Sequence, residues 1–149
     1  MAKKVQSVSS INQIKDDKLV VIYKGKKFVI NVTKELQVDE NIINSQLKQH
    51  PSNYAFLCLV KDHYINKRVK LERERDTAYH KAWVYYKESG GISNDLAEHK
   101  AASNPKYLSI SERYEKINFK ANKLISVCKA YESREKIIQS LNANLRKQS

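Results

Sequence analysis

Aromatic and cationic side chains alternate in the middle of the chain, in the stretch TAYHKAWVYYKESGG at residues 77–91. Tyr79, Trp83 and Tyr86 are spaced by four and three residues, which places them on one face of a helix. Arg68 and Arg75 extend that face towards the N-terminus. Cations neutralise phosphates and rings stack on exposed bases, so the pattern indicates sequence-independent binding of a single strand. The alternative is that the three rings pack against a partner helix or another protomer.

The charge of the chain points to the same class of partner. The formal net charge of +12 favours a polyanion, either nucleic acid or an anionic membrane. Further candidate contacts to DNA are the lysines of the aromatic stretch and those of the segment KGKK, namely Lys81, Lys87, Lys24, Lys26 and Lys27. For the KGKK lysines the alternative is that they protect a strand edge from aggregation.

The N-terminal part predicts a leader followed by a small sheet. Residues 1–17 are polar and are expected to form a mobile basic leader. Two runs rich in β-branched residues in KLVVIYKGKKFVINV, residues 18–32, flank a turn at Gly25 and predict a β-hairpin.

Residues 33–149 are expected to form a helical hairpin domain. A first long helix is predicted from about 51 to 88, with Pro51 in its first turn and Gly90 at its end. Ser93 is placed to cap a short connecting helix over 92–103, and Asn104 to cap a last helix over about 105–146. The predicted fold is therefore mainly α: a long antiparallel helical hairpin with a short connecting helix and an N-terminal β-hairpin.

Apolar residues of the last helix recur at alternating spacings of three and four from Tyr107 to Leu145, at ten of twelve positions. This pattern predicts a seam with the first helix, whose own stripe includes Leu71, Ala78 and Tyr85. A second stripe on the last helix predicts an oligomer interface formed by Val127, Ala130, Ile137 and Leu141. The alternative is that the β-hairpin covers this second stripe.

No signature of catalysis or of a cofactor accompanies these features. The chain has no nucleotide-binding P-loop, HExxH or GxSxG motif, and its four histidines lack metal-ligand spacing. Cys58 and Cys128 lie in apolar, helical contexts, which is typical of reduced cysteines in a cytosolic protein. The longest apolar run, AFLCLV, is too short to span a membrane. The sequence predicts no enzyme, no cofactor, no metal site and no membrane partner.

From residue 34 onwards the chain resembles the bacteriophage recombination mediators of the UvsY type. The resemblance rests on QLKQHPSNYAFLCLV, on the basic helix ending in YYKESGG, on NPKY, and on VCKAYESREKIIQSL. Lys81 in KAWVYY matches a DNA-contacting cation of that family, whereas Trp83 stands where the family pattern carries a second cation.

The resemblance implies a helical hairpin that assembles into a ring-like homo-oligomer and binds single-stranded DNA. It also implies that the protein helps a recombinase to replace the single-strand-binding protein, in the host cytoplasm if a phage encodes it. Two other functions stay open on the residues alone: a coiled-coil scaffold whose basic charge is incidental, and an adaptor that binds one protein through its aromatic face. A membrane-surface protein ranks last, because the chain lacks one broad lipid-facing apolar side.

Overall fold

A computed structural model describes residues 18–149, and the predicted leader at 1–17 lies outside them. The fold is mainly α with one small antiparallel sheet, as the sequence predicts. In chain order the elements are β1 (Lys18–Tyr23), β2 (Lys26–Asn31), α1 (Val32–Leu36), a 3-10 helix (Glu40–Ile42), α2 (Ile43–Gly90), α3 (Asn94–Ala102) and α4 (Pro105–Gln148). None of the helices within residues 18–149 is long and apolar enough to cross a membrane.

The chain divides into two compact units, and each long helix contributes to both. Unit 1 comprises the described residues up to Val60 together with Lys123–Ser149. Unit 2 comprises Lys61–Asn122.

The predicted β-hairpin is present in unit 1. A two-residue turn joins its strands, and both turn residues have positive φ, 50° at Lys24 and 74° at Gly25. This geometry matches the right-handed twist of the two strands, and Gly25 adopts it without steric cost. The inner face of the hairpin packs on α2, where the Phe28 and Phe56 rings meet edge to face with centroids 5.1 Å apart.

Helix α2 begins at Ile43, eight residues before the predicted start near Pro51. Ile43 and His50 are both buried, so packing stabilises the helix upstream of the proline. Pro51 removes one backbone N–H donor from the helix, a loss that this packing offsets. The prediction was wrong because a proline suited to a first turn also occurs inside a helix when tertiary contacts support it.

The core of unit 1 lies between α2 and α4, which run antiparallel there. Tyr54 on α2 donates a hydrogen bond to Glu132, while His50, one turn earlier, lies 3.7 Å from the Glu135 carboxylate. Buried side chains of both helices fill the space between them: Leu57, Val60, Leu124, Val127, Cys128, Tyr131 and Ile138.

A polar cluster is embedded in this core. Arg134 is buried, and its guanidinium donates from Nη1 to His50 Nδ1 at 3.1 Å and from Nε to the Gln37 carbonyl at 3.2 Å. Because arginine only donates, Nδ1 must accept, so His50 is neutral with its proton on Nε2. Burial is the main cause that lowers the pKa of His50; the nearby Glu135 carboxylate opposes the shift and Arg134 adds to it.

Unit 2 contains the helix ends that the sequence predicts. Helix α2 ends at Gly90, and Gly91 follows with φ of 54°. The Ser93 hydroxyl accepts from the Leu96 N–H and caps α3. The Asn104 side chain accepts from two N–H groups of the first turn of α4. These local signals end α2 and begin α3 and α4 within a short stretch of the chain. Helix α4 can therefore run back along α2 within this unit.

Candidate nucleic-acid interface

The predicted stripe on α2 faces α4 within unit 2. Arg68 Nη1 donates to the side-chain oxygens of Asn118 and Asn122 at 3.3 and 3.0 Å. The Arg75 guanidinium lies 4.2 Å from the centre of the Tyr114 ring. All of these contacts join the two long helices, so the arginines of the stripe stabilise the helix pair.

The aromatic part of the stripe has the same role. The Tyr79 and Tyr107 rings meet edge to face with centroids 5.4 Å apart. The Tyr86 hydroxyl accepts from the Asn104 side chain at 3.4 Å. Trp83 is half-buried. For Tyr79 and Tyr86 the structure favours packing against α4 and its capping residue, the alternative that the sequence left open.

Lys87 also has a structural contact. Its ammonium group donates to the Ile92 carbonyl at 2.7 Å, and the residue as a whole is half-buried. It therefore supports the connection after α2, where the negative end of the helix dipole favours a cation.

A groove lies on the opposite flank of the buried seam in unit 2. Its first part has a volume of about 690 Å³ and lies between Asn66–Lys81 on α2 and Lys106 and Ile110 on α4. Its second part, of about 470 Å³, shares Lys70 and Glu74 with the first and continues along α4 to Lys120. We call the two parts together the cationic groove.

Eight cations and one carboxylate, that of Glu74, line the cationic groove. The cations come from both long helices: Lys67, Lys70, Arg73, Lys81, Lys106, Arg113, Lys116 and Lys120. Lys116 forms an ion pair of 2.9 Å with Glu112 on the same helix. Its hydrogen bond is the main cause that lowers the pKa of Glu112. The local excess of positive charge creates a field that attracts an extended polyanion.

Among the predicted DNA contacts on α2, Lys81 is the one that lines this groove, and it is exposed. The other groove cations were not predicted, since the prediction for α2 rested on the cations that accompany the aromatic residues. The signal that identifies them is spacing: Lys70, Arg73 and Lys81 follow one another at intervals that keep them on one helix face.

Tyr85 was predicted to lie in the seam, and the structure places it outside, with 65% of its surface exposed. The seam instead passes from Ala78 to Ala82, which are both buried. A strict seven-residue spacing drifts by about 20° per heptad around a straight α-helix, so Tyr85 turns out of the contact. It follows the groove residue Lys81 by four positions, which places the two on one face of the helix.

The lysines of the hairpin turn, Lys24, Lys26 and Lys27, are exposed in unit 1. The Lys24 ammonium lies 5.4 Å from the centre of the Tyr23 ring. These three side chains are accessible to a phosphate, and their exposure fits both explanations of the turn.

The predicted oligomer stripe is only partly exposed. Val127 is buried within the single chain, with 4% of its surface exposed, so its assignment to an interface with another copy is wrong. Its helical neighbour Arg134 is also buried, against Gln37 of the segment that follows the β-hairpin. Ala130 and Leu141 are half-buried, and Ile137 is 53% exposed.

The chain matches no family model, no curated protein and no solved structure.

No group of three or more potential metal ligands occurs among residues 18–149. The charged side chains that line the cationic groove are eight cations and one carboxylate, an arrangement suited to binding phosphates.

Proposed function

We propose that this protein binds nucleic acid through the cationic groove of unit 2. The observation that carries the proposal is the ratio of charges in the groove, where eight cations from two helices surround a single carboxylate. Lysine and arginine at the surface of a groove neutralise phosphates and release counterions, which makes binding strong at low salt and weak at high salt.

The binding is expected to be independent of sequence. Flexible lysines dominate the groove, and a lysine ammonium is a point charge that fits any phosphate. Phosphate contacts fix the position of a strand but carry no information about its bases.

The biological role that we propose is that of a recombination mediator. The protein would hold single-stranded DNA while a recombinase replaces the single-strand-binding protein, in the cytoplasm of the cell. This part of the proposal rests on the resemblance to mediators of the UvsY type and on the groove as a surface for the strand. Its test is whether the protein accelerates recombinase loading on DNA that is already covered by single-strand-binding protein.

Self-association, in a ring-like homo-oligomer, belongs to the same proposal. Ile137 is exposed on α4 in unit 1, with half-buried Ala130 and Leu141 on the same face. A second copy that packs on this face would remove the exposed apolar surface from water. An oligomer would also present several cationic grooves to one strand, which raises avidity without new contacts.

One observation favours a second candidate function, that of a protein adaptor. Val20 and Val29 form a cross-strand pair on the outer face of the β-hairpin, and both are exposed. Ile22, on the same face, is 51% exposed. An apolar face on a small sheet is a surface on which a protein partner can pack.

The direct test of the groove is charge reversal. The variant Lys70→Glu with Arg73→Glu places two carboxylates in the groove, at exposed positions outside the core. The control variant Lys129→Glu with Lys136→Glu makes the same change of net charge at exposed positions in unit 1.

Binding of a labelled single-stranded oligonucleotide is measured by fluorescence anisotropy for both variants. We expect the groove variant to lose binding at a salt concentration where the control variant still binds. Equal losses in the two variants would mean that net charge alone attracts the strand and would remove the groove from the proposal. An adaptor without a role in nucleic-acid binding would give weak binding for the unmodified chain as well.

A further inference from the structure

We infer that Tyr85 stacks on a base of the bound strand and gives the cationic groove a preference for single-stranded over duplex nucleic acid. The inference rests on the proposed function and adds a residue that distinguishes a single strand from a duplex. It differs from the sequence prediction, which assigned stacking to Tyr79, Trp83 and Tyr86 on the opposite flank of the seam.

The Tyr85 ring is accessible to a base. A stacking platform must expose its ring, and Tyr85 has 65% of its surface exposed. The three rings of the predicted stripe are half-buried, and two of them contact residues of α4 or its cap. Among the aromatic residues of 77–91, Tyr85 is therefore the ring that a base can reach.

Tyr85 lies one helical turn beyond Lys81, which lines the groove, and residues four apart on a helix are neighbours at its surface. A strand whose phosphates follow the groove cations to Lys81 would bring its next base close to the Tyr85 ring. Cations along the backbone and a ring beside them form the usual combination for sequence-tolerant binding of single strands.

Neighbouring side chains support the Tyr85 ring before a strand binds. The Tyr85 ring contacts the Tyr86 ring edge to face, with ring centroids 5.3 Å apart and an angle of 70° between the planes. Tyr86 is itself held, since its hydroxyl accepts from Asn104 and the Lys100 ammonium lies 5.7 Å from its ring centre. A ring that is supported on one side loses less freedom when a base stacks on the other.

Stacking requires an unpaired base. In a duplex the faces of the bases are covered by their neighbours, so a duplex offers the groove its phosphates but no free base to Tyr85. The groove cations would bind both forms, and Tyr85 would add affinity for the single strand alone.

The experiment compares two single-stranded probes of equal length, an oligothymidylate and an abasic oligonucleotide that keeps the phosphates and lacks the bases. Affinities for both are measured by anisotropy in one buffer. We expect the unmodified chain to bind the oligothymidylate at least about fivefold more tightly, which corresponds to about 1 kcal/mol, the lower end of the range for one stacked base.

Substitution at Tyr85 should remove this difference. We expect Tyr85→Leu to bind both probes with the affinity that the unmodified chain has for the abasic probe, and Tyr85→Phe to retain the difference. Lys81→Ala should weaken binding to both probes by the same factor, since it removes a phosphate contact. Circular dichroism verifies that each variant keeps its helical content.

A second measurement locates the contact without a variant. An oligonucleotide that carries 5-iodouracil crosslinks on irradiation to an aromatic residue that stacks on the base, and mass spectrometry identifies that residue. A crosslink at Tyr85 supports the inference, whereas crosslinks at Trp83 or Tyr79 without Tyr85 would overturn it.

The inference and the proposed function fail in different ways. If Tyr85→Leu keeps the full preference for the oligothymidylate, or if the unmodified chain binds both probes equally with a steep dependence on salt, the stacking role is refuted and the groove stands. If neither probe binds in a salt-dependent manner, the proposed function fails together with the inference.

Discussion

Removal of cations from the groove should change the salt dependence of binding by an amount that follows from the structure. The variant Lys70→Ala, Arg73→Ala, Arg113→Ala deletes three of the eight groove cations. All three side chains are exposed on helices, so replacement by alanine, the best helix former, leaves the fold intact.

The expected magnitude comes from counterion release. For a single strand, the logarithm of the binding constant falls with the logarithm of the salt concentration with a slope of about −0.7 for each neutralised phosphate. If each deleted cation contacts one phosphate, the triple variant should have a slope that is shallower by about 2 units.

The assay is an anisotropy titration of a labelled single-stranded oligonucleotide at several salt concentrations. The control variant Lys48→Ala, Lys129→Ala, Lys136→Ala changes the net charge equally and lies in unit 1. We expect the control variant to keep the slope of the unmodified chain. A slope that changes equally in the two variants, or that stays unchanged in the groove variant, would refute the assignment of phosphate contacts to this groove.

Three further predictions concern stability and assembly. Leu124 is fully buried in unit 1, so Leu124→Ala should lower the free energy of unfolding by about 2–5 kcal/mol in a denaturant titration. A loss of stability no larger than that of a surface substitution would show that Leu124 does not lie in the core. The pKa of His50 is lowered in the folded chain by burial, so the unfolded chain binds the proton first as the pH falls below the ordinary value of 6.5. The free energy of unfolding should therefore be greatest above pH 6.5 and decrease between that pH and the lowered pKa. The pKa of His63 is also lowered by burial, so His63 contributes to this decrease with the same sign. The variant His50→Gln should therefore make the decrease smaller but not abolish it. Ile137→Asp should shift the chain to a smaller species in light scattering without loss of helicity, and an unchanged molar mass would exclude this face as the contact between copies.

Local signals in the sequence were sufficient for the hairpin turn and for the starts of α3 and α4. Gly25 in the turn, Ser93 before α3 and Asn104 before α4 all have the conformation or the capping bonds that their types predict. Each of these depends on a side chain and the backbone within three residues of it, so no tertiary information is needed.

The start of α2 could not be predicted in the same way. Its first eight residues are stabilised by the burial of Ile43 and His50, contacts that involve distant parts of the chain. Pro51 was therefore interpreted as a boundary, although it lies inside the helix.

The candidate site shows the limit of helical periodicity. The spacing of Arg68, Arg75 and Tyr79 correctly groups them on one face, but it does not reveal that α4 covers this face. The same periodicity placed Tyr85 in the seam, where a small departure from the seven-residue repeat turns it outwards. Which flank of α2 is open depends on how α4 packs against it. That packing is set by tertiary contacts, and local spacing along the sequence does not specify it.

We propose that unit 2 binds single-stranded nucleic acid through its groove cations. The most direct test measures the affinity of the unmodified chain for one labelled oligonucleotide, as a single strand and as a duplex, across the same series of salt concentrations. We expect tighter binding of the single strand, together with a steep loss of affinity for both forms as salt increases. Binding that is weak and insensitive to salt for both forms would contradict it.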